Sequence, residues 1–387
     1  MIAYNTAELD NKDVQDQTRK ALAEQLITGE EDTRIRAAYP VTLYTPNLFI
    51  RIGLFLLTTV IVIASAGLLA LMISSNANSV AVPLLFTGLF SIGILEYLVY
   101  RKRHFRSGVD DALLWLAAAL ILTAIDFFFD HVSDLQLWLL AFVMSLWCTL
   151  RFADRIMALA AYSSLLGILF CTVGEWGSTG RLLLPFSIMV VAAATGLISA
   201  SLYKKRPYRH YRDCLILLKV ACLLSFYAAG NIFVVRELQF SFFGWRAAAN
   251  TPRLLSGFFW IWTLIIPFLY LGRGIQKKDR IFLWMGLALI AAAISTIRYY
   301  HALLPLEWAM VIGGALLITV SYTLIKYLRT PRYGLTDRED PGGHPIAGLQ
   351  LESILIAETF PPATPPVSDG FRFGGGSGGG GGAGGEF

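Results

Sequence analysis

Charge is scarce in this chain. Of its 387 residues, 15% are Asp, Glu, Lys or Arg, against about 25% in soluble domains. The apolar share is 56%, more than one or two water-soluble cores can hide. A soluble enzyme and a fibrous protein are excluded on that ground. Cysteine is scarce as well. Cys148, Cys171, Cys214 and Cys222 show no C-x-x-C spacing and lie within or beside apolar stretches, which argues against a disulfide scaffold and against a zinc module. The chain also lacks a Walker-type loop, H-E-x-x-H and G-x-S-x-G. Cytosolic ATP chemistry and covalent nucleophile chemistry have no support, and no cofactor or metal site is expected.

What is present is a succession of long apolar runs. A helix needs about 20 mostly apolar residues to cross a hydrocarbon core of roughly 30 Å. Runs of that kind fall at 52–74, 79–100, 112–130, 134–150, 156–173, 182–203, 214–235, 254–272, 281–298 and 309–328. The fold class expected is all-α, a polytopic transmembrane bundle of about ten spans. The shortness of the fourth and fifth spans keeps eight or nine open. Residues 1–50 read as a cytosolic N-terminal helical segment, 51–329 as the transmembrane domain, and 330–387 as a disordered Pro/Gly-rich cytoplasmic tail.

The few charges are not scattered. Fifteen basic residues fall on even-numbered connections, in RKRHFR, RFADR, KKRPYRHYRD and RGIQKKDR, against five on the odd-numbered ones. Lys and Arg accumulate on cytoplasmic loops, so both termini are expected in the cytoplasm. The net charge of +5 then reads as orientation and not as nucleic-acid binding. Asp111, Asp154, Asp213 and Asp279 stand at the starts of spans three, five, seven and nine. There a carboxylate can cap free N–H groups and meet the helix dipole. Trp115, Trp138, Trp147, Trp176, Trp284 and Trp308 fall near span ends, where indole rings prefer to lie.

Before the first span, Ala7–Ile27 and EEDTRIRAAY predict two short helices broken at Gly29, packed on the protein's own loops. RELQFSFFGWRAAANTPR at 236–253 reads as an interfacial helix or, second, a lid. Glu96 and Lys219 are expected to snorkel outward, and Asn231 and Ser225 to bond across helices. Gly286 suits close helix contact.

The strongest candidate for chemistry lies near the outer ends of spans three and nine. IDFFFDHVSD places Asp126, Asp130 and Asp134 at i, i+4 and i+8, with His131 adjacent, and IRYYHALLPLEW supplies Arg298, His301 and Glu307. Carboxylates at membrane depth are costly and face a cavity or a partner. Asp126, Asp130, His131, Arg298, His301 and Glu307 therefore form either a structural ion-pair cluster or a substrate- or ion-binding site. The surrounding stretches are also alike. LLWLAAALILTAID at 113–126 lines up with FLWMGLALIAAAIS at 282–295, which points to spans three and four repeating as nine and ten in the same orientation.

The stretch ALAEQLITGEEDTRIRAAYPVTLYTPNLFIRIGLFLLTTVIVIASAGLLAL resembles the opening of a bacterial family of multi-pass inner-membrane proteins of unknown function. The likeness runs over residues 20–75, on a leucine–isoleucine turn, acidic residues and a tyrosine before the first span. It implies a short cytosolic helical segment followed by about ten spans, and carries no catalytic residues. The ten-span layout is also similar to that of drug/metabolite transporters, whose repeats are inverted where the repeat expected here is parallel. Three functions fit: a non-enzymatic scaffold, sensor or accessory factor; a small-molecule or ion transporter; and a membrane-embedded enzyme, for which a pocket joining His131, His301 and carboxylates is required. The partners expected are the lipid bilayer and proteins that meet the N-terminal segment or the tail.

Overall fold

The computed structural model describes residues 2–73, 77–129, 132–243 and 253–300, with isolated positions between 311 and 326. Among them are twelve α-helices: α1 (Thr6–Ala23), α2 (Gly29–Ala38), α3 (Leu48–Ile73), α4 (Ala81–Lys102), α5 (Val109–Phe128), α6 (Asp134–Phe152), α7 (Arg155–Gly174), α8 (Gly177–Tyr203), α9 (Arg212–Gly230), α10 (Ile232–Phe243), α11 (Arg253–Lys277) and α12 (Arg280–Tyr300). Nine of these are long and apolar enough to cross a membrane, and the described chain contains no strand. A single bridge pairs Tyr44 with His104. The protein is an all-α multi-pass membrane protein. The tenth expected span, the tail and the glycine run fall outside the described residues, apart from those isolated positions.

Helix ends follow the polar residues. Asn5 caps α1 by accepting from the Ala7 N–H at 3.0 Å. Thr28 and Glu31 form a reciprocal capping box at the start of α2. The expected break at Gly29 is displaced: Gly29 opens α2, and α1 ends six residues earlier, at Ala23, shortly before Gln25 at φ 57°. A left-handed residue reverses the chain there, and Thr28 starts the next helix. Asp154 caps α7 through the Met157 N–H at 2.8 Å. Asp279 accepts from the Ile281 N–H at 3.1 Å at the start of α12.

Sequence neighbours pack as antiparallel pairs, α4 with α5, α6 with α7, α8 with α9 and α11 with α12. α5 is the most enclosed of the spans and α3 the least, with 44% and 11% of their apolar windows buried. α5 therefore sits among its neighbours α3, α4 and α6, and α3 offers most of its surface to lipid. The main core joins Leu95 and Val99 of α4, Leu113 and Leu114 of α5, and Cys148 and Phe152 of α6. Tyr4 and Leu9 of the N-terminal segment belong to it as well. All four cysteines are free.

Two expectations need correction. The seventh span does not run unbroken through residue 235: α9 stops at Gly230, and α10 begins after Asn231. Asn231 adopts extended backbone (φ −74°, ψ 124°), because its own side chain satisfies the amides freed by the break. Nor do Glu96 and Lys219 simply snorkel. Glu96 takes a two-pronged bond from Arg151, at 2.9 and 3.0 Å, and Lys219 pairs with Asp279. A neighbouring helix end supplies each with an opposite charge.

Candidate functional site

The N-terminal segment binds the bundle on the side where α5, α7, α9 and α12 begin. The Ala3 N–H donates to the Arg151 carbonyl at 2.7 Å. Tyr4 follows, more than nine-tenths buried, its ring edge-on to Phe105 with centroids 5.0 Å apart. Below it lies a small cavity lined by Arg106, Asp110, Asp111, Phe152, Ala153 and Asp154, with room for about one water. Burial, then the negative charges of Asp110, Asp111 and Asp154, hold the Tyr4 phenol well above its ordinary value of 10.0. It stays protonated at any physiological pH.

Each carboxylate around this mouth has structural partners. Asp110 accepts from the Ser107 N–H at 2.8 Å and the Ser107 hydroxyl at 3.0 Å. His104 shares that hydroxyl, Nδ1 to Oγ 2.8 Å. Burial, the leading cause, pushes the His104 imidazole below 6.5, and Asp110 partly opposes it. Asp111 binds the Arg51 guanidinium, with Nε at 3.0 Å. Asp154 accepts from the Trp115 indole at 3.1 Å. Arg106 pairs with Asp213 at 2.7 Å. Gly108 holds the turn, since at φ +90° a Cβ there would stand 2.1 Å from the Arg51 carbonyl oxygen.

α1 then crosses the same face. Glu8 meets Arg103 at 2.9 Å and Thr42 at 2.9 Å. Asp10 pairs with Arg209, and the His210 ring lies 3.7 Å from the same carboxylate. Asn11 and Gln15 donate to the Pro40 and Tyr39 carbonyls at 2.9 and 2.7 Å. One segment thus ties together the α4–α5, α6–α7 and α8–α9 connections. Packing on the protein's own loops was expected of it. No sequence signal singled out Tyr4, Asp110 or Arg209, because their pairing depends on how distant loops converge.

The second polar centre is the break at Asn231. This side chain is 2% exposed. Its Oδ1 accepts from the Phe233 and Val234 N–H groups at 3.0 and 3.3 Å, and its Nδ2 donates to the Tyr227 hydroxyl and to Thr296 at 3.0 and 3.2 Å. The Ile232 N–H donates to the Thr263 hydroxyl at 3.1 Å. The Trp262 indole packs against Gly230, where a Cβ would meet it at 2.2 Å. The cross-helix bonding expected of Asn231 and Ser225 is present, Ser225 with Tyr162 of α7. Asn231 lies twelve residues beyond Lys219, about 18 Å along a helix at 1.5 Å per residue. The break is therefore at membrane depth, where irregular backbone survives only when protein groups satisfy it. The Gly–Asn pair inside an apolar run was the sequence signal for it.

No known protein family, curated protein or solved structure matches the chain.

Of the residues singled out from the sequence, Asp126 is half-buried in the last turn of α5, its Oδ1 accepting from the Val132 N–H at 3.1 Å. Arg298 is half-buried near the end of α12. Asp130, His131, His301 and Glu307 lie outside the described residues. α5 packs on α3, α4 and α6, whereas α12 packs on α11 and α9. The suspected repeat gains a second mark. Arg51 reaches Asp111 and Lys219 reaches Asp279 across the same separation of 60 residues, and both pairs join the start of a span to the helix two spans before it. Among the described residues no three His, Cys, Asp or Glu side chains are grouped to hold a metal ion.

Proposed function

We propose that the chain is a sensor or scaffold of the bacterial inner membrane, non-enzymatic, with its N-terminal segment in the cytoplasm as the signalling element. One observation carries the reading: a single polar segment binds three separate interhelical connections through Ala3, Tyr4, Glu8 and Asp10. A segment so placed docks best in one relative arrangement of the helix pairs, and any change in that arrangement alters its affinity. The equilibrium shifts by the difference in contact free energy between the two states. The excess of Lys and Arg on this face supports the cytoplasmic side.

The test is hydrogen exchange of residues 2–23 in nanodiscs of different acyl-chain length and head-group composition. A sensor gives exchange at Ala3 and Tyr4 that changes with the bilayer while the α5 amides stay protected. Identical exchange in every bilayer leaves no sensing role.

A transporter is the second reading, favoured by the interrupted helix α9–α10. Discontinuous helices build binding sites near the bilayer midplane in many transporters, and Asp126 supplies a carboxylate within a span. In proteoliposomes, proton or cation flux that is lost in Asp126→Asn supports it. Flux equal to that of empty liposomes across a panel of gradients and substrates removes it.

A further inference from the structure

The face that receives α1 is also its most basic surface. Lys204, Lys205, Arg206 and Arg209 follow α8 in one run, all exposed, and Arg101, Lys102 and Arg103 close α4. Exposed tyrosines accompany both sets: Tyr100 (79% exposed) at the end of α4, and Tyr203 and Tyr208 around the end of α8. Such rings belong to the level of the lipid head groups. The cations beside them therefore stand where lipid phosphates stand.

Only some of these cations have carboxylate partners. Arg103 is held by Glu8 and Arg209 by Asp10, whereas among the described residues no carboxylate pairs with Lys204, Lys205 or Arg206. Glu8 and Asp10 are two positions apart, which on a helix is a rotation of about 200°. They leave opposite flanks of α1. α1 is thus a negatively charged bar lying between two basic patches: from Glu8 to Asp16 it carries four carboxylates and one lysine.

We propose that Lys204, Lys205, Arg206 and Arg209, with Arg101–Arg103 beside them, form a binding surface for anionic phospholipid head groups. Head groups compete there with Asp10 and Glu8 for Arg209 and Arg103, so α1 lifts away as the anionic content of the leaflet rises. A phosphodiester presents the same charge and hydrogen-bond acceptors to a guanidinium as a carboxylate does. A fluid leaflet supplies it at high local concentration, while Glu8 and Asp10 can offer only two carboxylates. Juxtamembrane basic clusters of four to eight residues bind anionic leaflets in this way. The inference rests on the sensor reading and names what is sensed.

Two measurements on the full chain test it, in nanodiscs of phosphatidylcholine alone and of phosphatidylcholine with phosphatidylglycerol in equal parts. Native mass spectrometry reads bound lipid, and hydrogen exchange reads the Ala3 and Tyr4 amides. The expected result is selective retention of phosphatidylglycerol and faster exchange at Ala3 and Tyr4 in the anionic discs. Lys204→Gln/Lys205→Gln/Arg206→Gln leaves both α1 ion pairs intact and should lower phosphatidylglycerol affinity by about 100-fold; unchanged protection of α4 and α5 confirms that this variant is folded. Asp10→Asn should speed exchange at Ala3 even in neutral discs. If the triple variant keeps its preference for phosphatidylglycerol, the assigned surface is wrong. If lipid binds and Ala3 exchange does not move, the competition is wrong. Exchange that follows chain length but ignores anionic content overturns the lipid proposal and leaves the sensor reading standing. Exchange that is constant in every bilayer overturns both.

Discussion

Removing the guanidinium of Arg51 leaves the Asp111 carboxylate, 8% exposed, without its counter-charge at the head of α5. Breaking a buried pair from one side costs about 3–5 kcal/mol, whereas replacing both partners with apolar groups is often neutral. The Arg51 side chain keeps 28% of its exposure, so water screens part of that loss. Arg51→Leu is therefore expected to destabilise by about 2–3 kcal/mol, and Arg51→Leu/Asp111→Leu to recover most of it, read as thermal midpoints in one detergent. A double variant no better than the single would mean that Asp111 serves something beyond the pair. His104 offers a titration at the same scale. Its folded value lies below 6.5, mainly through burial, so the unfolded chain takes up the proton first. Stability is full above about pH 6.5 and falls as pH drops from there through the folded value. A His104→Gln variant should lose part of the decline in thermal midpoint between pH 7.5 and pH 5.5. An identical decline would assign it to other groups, such as the Asp10–His210 contact.

At the scale of elements, the break between α9 and α10 depends on one amide side chain. Asn231→Leu removes the acceptor for two amides of α10 and the donor to Thr296. A lost cap is worth about 1 kcal/mol, and a buried partner left unsatisfied about 1–3 kcal/mol more. A total of about 2–4 kcal/mol is expected, with faster hydrogen exchange over 232–243. Asn231→Asp keeps the acceptor and should show the smaller loss. If Asn231→Leu is as stable as the parent and α10 stays protected, then Thr263 and packing hold the break unaided. The element scale also separates what was legible in the sequence from what was not. Span positions were readable because hydropathy is a local sum. Of the aspartates expected to cap span starts, Asp154 and Asp279 do so, because a cap acts within three residues, whereas Asp111 and Asp213 pair with Arg51 and Arg106 instead. The stop at Gly230 was missed because Ile232, Phe233, Val234 and Val235 continue the apolar run. A hydropathy window counts their side chains and not the amide bonds that Asn231 and Thr263 redirect. Of the site near the N-terminus, only the docking of α1 on the protein's own loops was foreseen. Glu8–Arg103 and Asp10–Arg209 join residues far apart in sequence, and no spacing rule links such distances.

For the whole molecule, the number of spans decides where the C-terminus lies. The N-terminal segment contacts the starts of α5 and α7 and the ends of α4, α6 and α8, so these ends share one side. Continuing the alternation, α11 ends and α12 begins on that side, and Lys219–Asp279 ties the start of α12 to the lower part of α9. α12 therefore finishes on the far side near Tyr300. A further apolar crossing at 309–328 returns the chain to the side of the N-terminal segment, and its absence would strand the tail opposite. Reporter fusions at residues 178, 245 and 330 separate the two cases. With ten spans, 178 and 245 report the far side, and 330 reports the side of residues 1–47. If 330 agrees with 245, the chain has nine spans and the second half lacks a counterpart of α6. That result would also sink the parallel repeat suggested by Arg51–Asp111 and Lys219–Asp279, because spans one to four could not map onto seven to ten. Agreement of 330 with the N-terminal side leaves room for the two ion pairs to be corresponding parts of two repeated four-span units. Disrupting Lys219–Asp279 should then loosen α12 against α9 much as disrupting Arg51–Asp111 loosens α5 against α3.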